Sequence, residues 1–184
     1  DLVCIDEQQK IGLKQKRALI GPKTNLMEST ATCIPRSMSN ILFTGKGIVR
    51  IYPHTNKQIP TSIVSTEDRD RVFERIQATV KSGGKVAIVY PEIHDEKRTA
   101  LLQAEKLWKK HYPDDYIMIH GAIEPKEKKA RIERVIKGDF KLLIATSIIE
   151  IGLDVPGLRL GMVVGADRFG LSTLHQIRGR LARD

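Results

Sequence analysis

Four short stretches of this 184-residue chain hold side chains able to act on an anion. Asp6-Glu7-Gln8-Gln9 follows the apolar run Leu2-Val3-Cys4-Ile5. A carboxylate pair so placed suits Mg²⁺-nucleotide chemistry. Asp6 would hold the metal, usually through water, and Glu7 would orient or deprotonate the attacking water. Ser29-Thr30-Ala31-Thr32 offers hydroxyls and amides fit to sense the state of a phosphate site. Ala145 to Gly157 sets Thr146 and Ser147 after an apolar run, where hydroxyls and nearby amides could meet phosphates. In the same stretch Gly152 permits close backbone approach, and Asp154 would sit near a ribose. Last, Gln176 precedes Arg178, Arg180 and Arg183. Arg180 and Arg183 are three apart, so a helix puts them on one face. Guanidinium forks suit a triphosphate, and an arginine reaching across a cleft stabilises phosphoryl-transfer charge.

Taken singly, each stretch has an ordinary alternative. Asp-Glu dipeptides are common. Ser29 to Thr32 could simply cap a helix before Pro35. The Thr146 segment could be a turn between strand and helix. Arginines at a helix end are favoured by the helix dipole alone.

The elements that must position these groups follow from the apolar pattern. Residues 2–5 read as a buried strand, a basic helix follows near 13–20, and 25–32 read as a strand leaving into a loop. Pro35 is expected to open a short helix reaching about Phe43. Residues 44–62 lack helical period and carry three basic residues and no acids, the texture of a linker. Ser65-x-x-Asp68 resembles a capping box opening a helix with apolar positions 72, 73, 76 and 80, stopped by Gly83-Gly84. Strands are expected at 86–91, 116–120, 141–145 and 161–166. Helices are expected around Leu101, Leu102 and Trp108, from Pro125 to Gly138, and over 172–182. This alternation predicts an α/β domain with a parallel sheet covered on both faces. Ligands of such sheets bind beyond the carboxyl ends of the strands, where the first three stretches fall.

Composition bounds the function. Hydrophobic residues are 41% of the chain, enough for a packed core. There is no apolar run near ~18 residues and no basic-then-apolar leader, which argues against a membrane span or a signal peptide. The chain opens on Asp rather than Met, so it is expected to be cut from something longer. The net charge of +9 favours an anionic partner such as nucleic acid, whereas aromatics at 5% offer no evident stacking platform. Cys4 and Cys33 lack CxxC spacing and read as buried thiols of a reducing compartment. The five histidines, at 54, 94, 111, 120 and 175, have no metal-ligand spacing.

In combination the stretches point further. D-E-x-x, S-T-A-T, A-T-x-x-x-E-x-G-x-D-V-P and Q-x-x-G-R-x-x-R occur in the order found in superfamily-two helicases. DEQQKIGLKQKRAL, STATCIPRS, VYPEIHDEK, HGAIEPKEKKARIERVIKGDF and DRFGLSTLHQIRGRLAR resemble the RecG family of branch-migration DNA helicases over nearly the whole chain. RFGL with LHQ is shared with the Mfd transcription-repair coupling translocases.

The resemblance implies two RecA-like lobes with ATP and Mg²⁺ bound between them. Residues 1–43 would end lobe one, 44–61 would link, and 62–184 would form most of lobe two. It makes Asp6 and Glu7 the metal and water pair. Ser29, Thr30 and Thr32 would couple hydrolysis to DNA movement. Thr146, Gly152 and Asp154 would belong to the fifth motif, with Thr146 and Ser147 as coupling or DNA contacts and Gly152 and Asp154 as ATP contacts. Gln176 would bind ATP, and Arg180 and Arg183 would be finger and phosphate contact. It further implies a monomer acting without sequence preference on branched or forked DNA in recombination and repair, in the bacterial cytoplasm. Gln9 replaces the family's usual His, Cys33 a Pro, and Ala182 a Gly, and none of these removes a catalytic group. No G-x-x-x-x-G-K-[ST] phosphate loop occurs, since Gly83-Gly84-Lys85 closes a helix instead of opening one. By itself the chain is therefore expected to be inactive as an ATPase. The alternatives are an Mfd-like translocase and a nucleic-acid-binding lobe that never hydrolyses ATP.

Overall fold

The computed structural model describes residues 1–8, 11–30, 47–52, 59–91, 98–146 and 155–180, with side chains left aside at 98–101 and 180. The chain divides into two compact units, Asp1–Thr55 and Asn56–Asp184.

In the first unit, β1 (Leu2–Ile5) and β2 (Asn25–Glu28) pair in parallel, with Ile5 opposite Glu28. Helix α1 (Leu13–Leu19) connects them. The Gln15 side chain accepts from the Gly12 N–H at 3.1 Å, satisfying one orphan donor of the first turn. Period-two alternation places Leu2, Cys4, Asn25 and Met27 on one face of this two-stranded sheet, and all four are exposed. Cys4 is thus an exposed free thiol, which corrects the expectation of burial: nothing described covers its face. Cys33 and the helix expected from Pro35 lie outside the described residues.

The second unit opens with an irregular stretch and a 3₁₀ turn, Thr66–Asp68, that leads into α2 (Arg69–Lys81). The capping box expected at Ser65 and Asp68 is replaced by that tighter turn. The Ser65 hydroxyl accepts from Glu67 N–H at 3.4 Å, while its carbonyl takes Asp68 N–H at 3.1 Å. Then follow β3 (Lys85–Val89), α3 (Arg98–His111), β4 (Tyr116–Ile119), α4 (Pro125–Lys137), β5 (Leu142–Ala145), β6 (Leu158–Val163) and α5 (Leu171–Arg180). Strand β6 begins and ends three residues before the range expected, because Leu158 is already buried and Gly165, at φ 62°, turns the chain away.

The strands form one parallel sheet in the order β4-β5-β3-β6. From β3 the chain moves two places to the edge strand β4, then one place back to β5. Right-handed crossovers in opposite directions put α3 and α4 on opposite faces. Val86, Ile88, Met118, Leu142 and Ile144 pack with Ile76 of α2 and Ala104 and Trp108 of α3. Ala87, Ile117, Ile119 and Leu143 pack with Val135 of α4, Phe140 and Leu158. Val72, Phe73 and Val80 join the first layer, so the apolar stripe of α2 faces the sheet as its spacing requires. Leu102, by contrast, is half exposed on α3. Helix α4 ends at Gly138, whose φ of 74° closes the helix and whose missing Cβ leaves room for the Lys85 ammonium.

Candidate nucleotide and nucleic-acid site

Strand β1 delivers Asp6 and Glu7 at its carboxyl end, and β2 delivers Ser29 and Thr30 beside them. The parallel ladder continues one step past the strands: Ser29 N–H donates to Ile5 carbonyl at 2.8 Å and Gln8 N–H to Ser29 carbonyl at 3.2 Å. Asp6 Oδ1 accepts from the Glu7 N–H at 2.9 Å and from the Ser29 hydroxyl. Glu7 takes a left-handed backbone, φ 51°, unusual for a residue with a Cβ. The Asp6 carboxylate is exposed yet oriented by two donors. Such a hard oxygen ligand, beside a second acid, fits a Mg²⁺ ion that keeps most of its waters. No group of three or more metal-ligating side chains exists among the described residues.

Three residues that sequence motifs did not mark as partners surround this turn. Gln8 is buried. Lys16 of α1 donates to Glu28 Oε1 at 2.5 Å and to Gln8 Oε1 at 3.5 Å. No spacing rule could have joined them, since they come from three elements.

In the second unit the carboxyl edge of the sheet brings Tyr90, His120 and Thr146 together. Tyr90 N–H donates to Ala145 carbonyl at 2.8 Å, and Thr146 N–H to Ile119 carbonyl at 3.2 Å. Thr146 is 4% exposed, so the strand end that was predicted to meet phosphate is held in the core. Ala122 N–H donates to His120 Nδ1 at 3.3 Å, which fixes that imidazole. Trp108 Nε1–H donates to the Tyr90 hydroxyl at 3.4 Å, and burial pushes the Tyr90 phenol up, against the opposing effect of that bond. On α5, Ile177 is buried and Gln176 half-buried, while Arg178 lies exposed with Nη2 3.2 Å from His175 Nδ1. Arg180 is the last described residue of α5. Thr32, Ser147, Gly152, Asp154 and Arg183 lie outside the described residues.

The family model for the helicase conserved C-terminal domain matches residues 64–184. The ATP-dependent DNA helicase RecG of Aquifex aeolicus is 33% identical over 98% of this chain, and that of Thermotoga maritima is 33% identical over 99%. The chain spans about a quarter of their length, 24% in each case. A solved structure of S. cerevisiae Dbp5 bound to RNA and ADP BeF3 superposes with a TM-score of 0.66 over 98% of this chain and 49% of that one, at 18% identity. At that identity the likeness is one of fold, the RecA-like arrangement of parallel strands and flanking helices. The parallel β4-β5-β3-β6 sheet and the match from residue 64 to residue 184 establish that the chain belongs to the family of the helicase conserved C-terminal domain.

Proposed function

We propose that this chain is part of an ATP-dependent DNA helicase or translocase that remodels branched or forked DNA in recombination and repair. The observation that carries the reading is the Asp6-Glu7 turn tied to Ser29 at the carboxyl ends of two parallel strands. Residues 1–43 end the first lobe, 44–61 link, and 62–184 form the second. The protein works as a monomer in the bacterial cytoplasm, without sequence preference. Mg²⁺ bound with ATP would supply neutralisation of phosphate charge. Asp6 would hold that ion through water, and Glu7 would accept the proton of the attacking water. Ser29 keeps the Asp6 carboxylate in place, and with Thr30 and Thr32 it couples hydrolysis to DNA movement. The segment begun by the buried Thr146 meets the DNA backbone through Ser147 and the amides that follow it. Gly152, Asp154 and Gln176 belong to the nucleotide side, and Arg180 and Arg183 approach the γ-phosphate from the second lobe.

A role without hydrolysis has less support, because such a lobe has no use for a carboxylate oriented by two donors. An Mfd-like role is supported by the RFGL and LHQ run alone, whereas the DEQ to QKRAL and YPEI segments lean to RecG. The test is DNA-stimulated ATP hydrolysis by the longer protein that carries this sequence, with forked and linear duplexes compared. Turnover should be stimulated most by the fork and abolished by Glu7→Gln. This chain alone, with no phosphate loop, should show none. Equal turnover in the Glu7→Gln protein would remove the basis of the proposal.

A further inference from the structure

We infer that Lys16 is a positioning residue for the carboxylate turn, acting through Gln8 and Glu28. The inference rests on the reading of Asp6 and Glu7 given above. Helix α1 has no buried residue, and within Leu13–Leu19 only Lys16 is even half-buried. The helix is therefore seated by a cation and not by an apolar stripe. The Lys16 and Glu28 side chains are 17% and 21% exposed, sheltered enough that the pair is screened less than a surface bridge.

The placement of the two acceptors matters more than the pair itself. Glu28 is the last residue of β2 and directly precedes Ser29, which donates to Asp6. Gln8 directly follows Glu7, and its N–H donates to the Ser29 carbonyl. One ammonium thus contacts both chain segments that converge on Asp6. Glu7 in its left-handed backbone requires surroundings that over-determine it, and Lys16 supplies the tie from outside the turn. Without that tie Gln8 and Ser29 can shift together, and the Asp6 carboxylate moves with them. A misplacement of about 1 Å is enough to cost up to ~10²-fold in rate.

The test uses the longer protein in four forms: wild type, Lys16→Met, Lys16→Arg and Glu28→Gln. DNA-stimulated ATPase is titrated with Mg²⁺, Mn²⁺ binding is followed by electron paramagnetic resonance with a non-hydrolysable ATP analogue, and melting is recorded. Lys16→Met should lower kcat about tenfold, a partial form of the misplacement cost. It should also raise the half-saturating Mg²⁺ and the Mn²⁺ Kd several-fold, with the KM for ATP little changed. Lys16→Arg, whose fork can reach both acceptors, should restore most of the metal affinity. Glu28→Gln should move the metal titration in the same direction as Lys16→Met. An active wild type with unchanged metal titrations in Lys16→Met overturns the positioning role alone. A wild type that neither turns over nor binds Mn²⁺ overturns the parent reading as well. Should Lys16→Met fail to fold, Glu28→Gln decides: a shifted metal titration supports the role and an unshifted one ends it.

Discussion

Replacement of Arg180 by Ala in the intact protein should abolish hydrolysis while leaving ATP binding largely in place. Replacement of Arg178 should do neither. The structure supplies the magnitude for the second. Arg178 is exposed and contacts His175 of the same helix, 3.2 Å away. Exposed contacts of this kind are worth about 0–1 kcal/mol, which limits the effect on any rate to roughly fivefold, since about 1.4 kcal/mol is tenfold. Helix α5 is seated by Ile177, which neither substitution touches, so both variants keep the helix docked. Position 180 is four residues from Gln176 and two from Arg178. It therefore shares a helical side with the expected ATP contact and not with Arg178. A cation delivered to the γ-phosphate as charge develops is worth roughly 10³–10⁵ in rate. It acts on the transition state more than on the ground state. Steady-state ATPase and equilibrium nucleotide binding separate the two quantities. Near-normal turnover in Arg180→Ala, or an Arg178→Ala protein equally dead, would refute the assignment of the finger.

Two further outcomes are expected. DNA affinity of the intact protein should fall steeply with salt and little with sequence, because binding rests on phosphate contacts; fluorescence anisotropy at several salt concentrations measures the slope, and a flat line excludes the phosphate reading. The Tyr90 phenol is raised by burial above its ordinary 10.0, so its share of stability is complete below about pH 10 and is lost as pH rises through the higher folded value. Urea midpoints taken across that range should fall with pH, and Tyr90→Phe should flatten the fall.

Much of the second unit was legible in the sequence. Runs such as Leu142 to Ala145 admit little but a buried parallel strand, and Pro125 and Gly138 bound α4 by backbone chemistry that needs no neighbour. Strand β6 was misplaced by three residues because its end is set by a left-handed glycine, and its start by the burial of Leu158 beneath Phe140 and α4. In the first unit, the place of Asp6 and Glu7 at the carboxyl end of a strand was readable from the apolar run before them. The Lys16, Gln8 and Glu28 cluster was not, because three elements meet there and none carries a periodic signal for the others. Cys4 was misread for a related reason: hydropathy assigns a strand two covered faces, and this strand has one.

The left-handed backbone at Glu7 sets selection for stability against selection for turnover. A Cβ in that region costs roughly 1–2 kcal/mol, which glycine avoids and asparagine partly avoids. A screen that rewarded only a well-folded first unit would drift to glycine at position 7 and gain stability with each such step. A screen that rewarded hydrolysis would hold the glutamate and accept the strain. Under the proposed role of Glu7, a carboxylate kept at an unfavourable backbone angle is what the second pressure would leave at position 7.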